Sequence, residues 1–231
     1  MKWKIFQTLL WFSILSSPVF AETLYVFVPS STSPKVMQDN MTALCPNIDV
    51  VVFGRGADFR KQLTDSPPDA VLSLSAVIEK STNFKSVLIG LQNGSADEKY
   101  VLAGVDKAPD IASISEKKIG VVDLLGRNPM KDYISELFSA PVKLKSVTKQ
   151  EDLLPLLSFG AADAIFVPER IFNEIKSKTQ LNLVSTPLDI KVGLARAGFS
   201  GGKVKENIAK CIESFNNSLN ESLGVEKWKS Q

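Results

Sequence analysis

Apolar residues fall along this chain in short runs, each closed by proline, glycine or a serine-rich turn, and the runs alternate with stretches of helical spacing. The first run is Leu24 to Val28, ended by Pro29. Ser30-Ser31-Thr32-Ser33-Pro34 follows, a hydroxyl N-cap with proline just inside, so a helix is predicted from there to about Ala43. Ile48 to Phe53 is a valine-rich run suited to a strand covered on both faces. Gly54-Arg55-Gly56 breaks it, a short helix is predicted from Asp58 to Leu63, and Asp69 to Leu74 supplies a third strand. Strand, helix, strand, helix, strand implies a parallel sheet with right-handed crossovers. Two more apolar runs, Ser86 to Leu91 and Tyr100 to Val105, flank a turn at Asn93-Gly94.

A second cycle then begins. Ile119 to Val122 is a strand, Asp123 to Asn128 a loop, and Pro129 opens a helix through Phe138. Val142 to Val147 follows, and Thr148-Lys149-Gln150-Glu151 has the spacing of a capping box. Pro155 lies too deep in the next helix for its first position, which predicts a kink or a division into two pieces. Asp163 to Val167 is a strand, Pro168 starts a helix, and Leu181 to Val184 and Ile190 to Ala195 are further strands. Val204, Ile208, Cys211, Ile212 and Phe215 recur at helical spacing, and Val225 and Trp228 are expected in a last short helix.

The expected architecture is therefore α/β with two lobes and a two-stranded hinge. Residues 106–187 form lobe II, while 22–105 and 188–231 complete a discontinuous lobe I. A cleft between lobes is a preferred place for a small-molecule site.

Residues 1–21 change where this fold is expected to work. Lys2 and Lys4 precede an apolar stretch, and Val19-Phe20-Ala21 stands before Glu22, the pattern of a cleavable secretory signal. The expected location is periplasmic, with the mature chain peripheral to the membrane. Removing 21 of 231 residues leaves 210, and removing two of 27 basic residues leaves 25 against 25 acidic. A neutral chain without a basic cluster argues against nucleic acid as a partner. There is no histidine, which excludes Ser-His-Asp and Cys-His catalysis and an HExxH zinc site, and no metal or cofactor is expected. An enzyme would be left with carboxylates, lysine or serine, and no carboxylate pair of catalytic geometry is evident, so a non-enzymatic role is expected. Cys45 and Cys211 have two readings: a disulfide closing a loop of about 165 residues, permitted outside the cytosol, or two buried thiols.

Three segments carry a resemblance to a known family: Lys118-Ile119-Gly120-Val121-Val122-Asp123, then Ser158-Phe159-Gly160-Ala161-Ala162-Asp163-Ala164-Ile165-Phe166-Val167, then Thr186-Pro187-Leu188-Asp189. On these the chain resembles periplasmic solute-binding proteins of the two-lobed type, in particular the phosphate, phosphite and phosphonate branch of ABC transporter substrate-binding proteins. The resemblance implies that a small anionic solute is held by loops after strands and by helix N-termini, for delivery to an ABC permease. The alternative with the same fold is a sensory or protein-interaction module, with a sensor protein as partner.

Matching positions are Ser31, Thr32 and Ser33 after the first strand, Ser73 and Ser75 at the third, and Arg127 and Asn128 in the second-lobe loop. Each has a structural reading beside the binding one. Ser31 to Ser33 also serve as an N-cap, and Arg127 stands either as a bidentate grip on a carboxylate or phosphate or as a solvated loop arginine. Arg127 lies where phosphonate binders usually have a serine- and threonine-rich turn. Glu169 is expected to act at a helix start, Arg55 in a surface turn, and Asp123 in orienting a loop or holding a cation.

Overall fold

A computed structural model describes residues 21–231. The segment read as a secretory signal lies outside the described residues, apart from Ala21. Two sheets make up the molecule. Strands β1 (Glu22–Phe27), β2 (Ile48–Val52) and β3 (Ala70–Leu74) run parallel, with β1 in the middle of the three. Strand β4 (Phe84–Leu91) and, from the far end of the chain, β10 (Ala195–Ser200) and β11 (Lys227–Ser230) join antiparallel, giving the order β11-β4-β10-β3-β1-β2. The second sheet contains β5 (Asp97–Val105), β6 (Lys118–Val122), β7 (Lys143–Val147), β8 (Ala164–Pro168) and β9 (Leu183–Gly193) in the order β7-β6-β8-β5-β9.

Helices follow the strands as the βα rhythm demands. In lobe I these are α1 (Pro34–Leu44), α2 (Gly56–Asp65), α3 (Ser75–Glu79), α7 (Glu206–Glu213) and α8 (Asn217–Leu223); in lobe II, α4 (Arg127–Phe138), α5 (Leu153–Ser158) and α6 (Glu169–Lys178). At the start of α1, the Ser33 hydroxyl accepts from the Val36 amide at 3.4 Å and Pro34 occupies the first turn, as the hydroxyl–proline pattern predicts. Every residue of β3 is buried, because β3 lies between β1 and β10. One buried apolar cluster runs from Met37, Met41 and Phe59 in lobe I to Leu124, Ile134 and Phe166 in lobe II. A second, including Leu153, Ile165 and Phe172, fills the other face of lobe II under α5 and α6.

The chain crosses between lobes twice, after β4 and after β9. The two crossings are bonded to their surroundings: Leu194 N donates to Ala96 O at 2.8 Å and Ser75 N to Leu194 O at 3.0 Å. The expected crossings near 105 and 188 move accordingly, since β5 pairs with β8 and β9 and so belongs to lobe II. Its apolar run resembles that of β4, and only the partner strands tell them apart. Trp228 likewise sits in a strand, not a helix. Strand β11 pairs with the β4 edge, and the indole N–H donates to Asn220 Oδ1 at 3.0 Å. Thr148 does not cap a helix: Gln150–Asp152 form a 3₁₀ turn that leads into α5, with Pro155 in that helix's first turn, where its missing N–H leaves no bond unmade. Cys45 and Cys211 form a disulfide, with Cα atoms 5.6 Å apart, joining the end of α1 to α7.

Candidate functional site

The cleft between the lobes has a middle and a flank, and they differ in kind. In the middle, the chain's own side chains meet: Pro29 and Leu74 of lobe I face Tyr100, Leu124, Tyr133 and Phe166 of lobe II, leaving about 60 Å³. The one ion pair there is Arg170 Nε to Glu98 Oε2 at 3.0 Å. Burial pushes the Glu98 carboxyl above its ordinary range, although Arg170 draws it down. Burial also pushes Tyr133 up to about 12, with Glu79 and Glu136 adding to it.

Contacts around this middle hold the lobes together. Arg60 on α2 donates from Nη1 to Leu124 O at 3.1 Å and from Nη2 to Asp123 Oδ2 at 3.2 Å. Asp123 Oδ1 in turn accepts from Gly126 N at 2.6 Å, so this carboxylate orients its loop, one of the two roles expected of it. Backbone approaches backbone here: a Cβ on Gly56 would lie 2.6 Å from Asp123 O. On the opposite rim Lys80 Nζ faces Glu136 Oε2 at 3.6 Å.

The flank is open. A cavity of about 470 Å³ lies between the loop from Val28 to Pro34 and the 148–151 turn with α6, within the size range of small-molecule sites. Its floor is apolar, with Phe27, Met37, Phe53, Leu154 and Ile175. Ser30 to Ser33 bring hydroxyls from lobe I, and Glu174 brings a carboxylate from lobe II. The Glu174 side chain is 29% exposed and bonds Lys178 Nζ at 2.7 Å. Lys178 holds the carboxyl below its ordinary range against the effect of burial, and the Ser31 hydroxyl across the cleft adds to this. Glu174 therefore stays ionised at neutral pH. Lys149, Glu151 and Lys178 stand at the rim with half or more of each side chain exposed.

Gln150 lines both the middle and the flank and is 8% exposed.

The expected site residues separate on this geometry. Ser31, Thr32 and Ser33 line the flank cavity. Ser73 and Ser75 are buried and line neither space: Ser73 Oγ donates to Phe27 O at 2.5 Å, and Ser75 packs against Gly193 at the hinge. Arg127 and Asn128 are exposed at the first turn of α4 and also line neither. Gly126, at φ 95°, turns the chain under Arg60 just before them. Arg55 pairs with Asp58 Oδ2 at 2.7 Å on the surface, as expected of a turn, and Glu169 occupies the first turn of α6. Glu174 and Gln150 escape a sequence reading because each has an ordinary local explanation, an i,i+4 ion pair and part of a capping box.

This geometry changes what the flank can hold. Proline removes one N–H from the start of α1 and Ser33 takes that of Val36, so few amides remain for an anion. Among the described residues, no group of three or more His, Cys, Asp or Glu is placed to hold a metal ion, and no helix is long and apolar enough to cross a membrane.

No protein-family description matches the sequence, and no curated protein is similar to it. The fold is shared with solved structures. A binding protein component of an ABC phosphonate transporter from Pseudomonas aeruginosa superposes with TM-score 0.65 at 8% identity, covering 92% of this chain and 82% of that one. The substrate-binding protein AbpA of an amino acid ABC transporter from Streptococcus pneumoniae, bound to L-arginine, gives 0.61 at 14% identity, over 89% and 97%. The VFT2 domain of BvgS from Bordetella pertussis gives 0.57 at 10% identity, over 88% and 91%. The chain has the two-lobed periplasmic-binding-protein-like fold, common to transport and sensor proteins, and no branch of it is singled out.

Proposed function

We propose that this chain is a ligand-binding module of sensory type, in which a small molecule occupies the flank cavity and a partner protein reads the resulting position of the lobes. The observation that carries this reading is the filled middle of the cleft. Pro29, Leu74, Leu124, Tyr133 and Phe166 close the position between the two sheets where a solute would be enveloped for transfer, and the usable space lies to one side. A ligand there touches the α1 entry loop and α6, one from each lobe, so its binding acts on their separation.

Delivery of an anionic solute to a permease is the reading the sequence resemblance implies. At this seat the inward-facing charge is a carboxylate, which does not favour that class of solute.

The test is a thermal-shift and hydrogen-exchange screen of residues 22–231 against small amines, zwitterions, sugars, carboxylates and alkylphosphonates. A ligand at a hundredfold excess over its Kd stabilises by about 2.7 kcal/mol, which for a chain of this size raises Tm by roughly 5–10 °C. Protection is expected at 30–33 and 171–178. Protection confined to 73–75 and 122–128 would overturn the assignment of the seat. Loss of uptake of the bound solute in cells lacking the protein would overturn the sensory role.

A further inference from the structure

We propose that the flank cavity selects an organic ammonium, a small molecule with an apolar body whose cationic group replaces Lys178 Nζ on Glu174. The inference rests on the reading of this cavity as the ligand seat and names the chemistry that seat accepts. Three observations support it. Glu174 is the least exposed charge on the cavity wall, and the Ser31 hydroxyl, not a second cation, faces it across the cleft. Its partner Lys178 is 66% exposed and one helical turn away, the kind of pair whose net contribution is small and which an incoming ammonium displaces readily. Displaced, the Lys178 ammonium moves into solvent on a flexible stem.

The remaining walls fit the rest of such a molecule. Phe27, Met37, Phe53, Leu154 and Ile175 offer an apolar bed for a hydrocarbon portion. Gln150, which also lines the cavity, supplies an amide for a second polar group on the ligand. An anion would share the apolar bed but face the Glu174 carboxylate, across a space where α1 offers few free amides.

The experiment uses residues 22–231 with three probes of equal length, n-pentylammonium, pentanoate and n-pentanol, followed by calorimetry and by exchange protection at 30–33 and 171–178. Pentylammonium is expected to bind at least tenfold more tightly than either of the others. Glu174→Gln should weaken it tenfold or more. Lys178→Met should tighten it severalfold, because the competing cation is gone; a purely structural role for Lys178 would give the opposite sign. Pentanoate binding more tightly than pentylammonium, or unchanged affinity in Glu174→Gln, overturns the proposal. Tighter binding of pentanol, with protection at 30–33, overturns the ammonium while leaving the seat intact. A ligand from the wider screen that protects only 73–75 and 122–128 removes the seat and with it the proposal.

Discussion

The two lobes share a βα rhythm but are closed by different means. Lobe II is one uninterrupted segment, with all five strands drawn from residues 97–193. Lobe I takes four strands from the first part of the chain and two from the last, and the later strand β10 lies inside the sheet between β3 and β4. Its order therefore depends on contacts between residues more than a hundred positions apart, whose closure entropy is paid before they stabilise anything. The disulfide acts on that weakness: Cys45 and Cys211 belong to the two pieces of lobe I and lie 166 residues apart in sequence. Lobe II has no covalent link among the described residues, since no other cysteine exists to make one.

The sharpest way to break this comparison is to remove the bridge. The double substitution Cys45→Ala and Cys211→Ala is expected to cost about 3–5 kcal/mol, the upper part of the range for one disulfide, because the closed loop is long. Urea unfolding followed by hydrogen exchange should show the loss in β1, β3 and β10, with β6 and β8 less affected. Equal loss in both lobes would mean that they unfold as one unit and that the contrast between them is only topological.

A smaller effect is expected where the lobes meet. Gly56→Ala places a methyl group against Asp123 O at 2.6 Å and Arg60 Nη1 at 2.9 Å, and a backbone oxygen has little room to yield. Overpacking of this kind costs about 1–3 kcal/mol. Here the strain is relieved by the lobes parting, so small-angle scattering should show a larger radius of gyration with secondary structure unchanged. Local loss of α2 without any change in radius would show that the lobes are held chiefly by the apolar middle and not by this rim.

Much of this architecture is legible in the chain. Proline and glycine punctuation marks most strands, and the serine–proline pattern at 33–34 marks the start of α1. Membership of a sheet is not legible in the same way. β4 and β5 are both apolar runs beside the Asn93-Gly94 turn, and only their long-range partners assign them to different lobes. The same limit governs the site. Ser31 to Ser33 are found because their turn is also an N-cap, a local signal. Ser73 has the same residue type at a strand end, yet β1 lies beside it and its hydroxyl is spent on Phe27 O. Glu174 is about 140 positions from Ser31, and no local pattern brings the two together.

The smallest effect expected is one of sign. In lobe I, burial tends to raise the Asp69 carboxyl, but the Thr23 amide at 2.9 Å and Lys205 at 3.4 Å outweigh it and hold the group below its ordinary value. The unfolded chain then binds the proton more readily, so Asp69 supports folding at neutral pH and that support is lost as pH falls through its lowered value. In lobe II, burial holds Glu98 above its ordinary value, and the folded chain binds the proton more readily. Its contribution is fully present below the ordinary glutamate range and is lost as pH rises through the raised value. Glu174 on α6 titrates in the direction of Asp69, so the lobe II arm is best followed in the Glu174→Gln background. Exchange-resolved unfolding between pH 7 and pH 4 should then show acid destabilisation in β1 and β3 that Asp69→Asn flattens. In β5 and β8 it should show an opposing contribution that disappears in Glu98→Gln. The same sign in both lobes, surviving both substitutions, would show that other carboxylates govern the acid response and that burial at Glu98 is offset by Arg170.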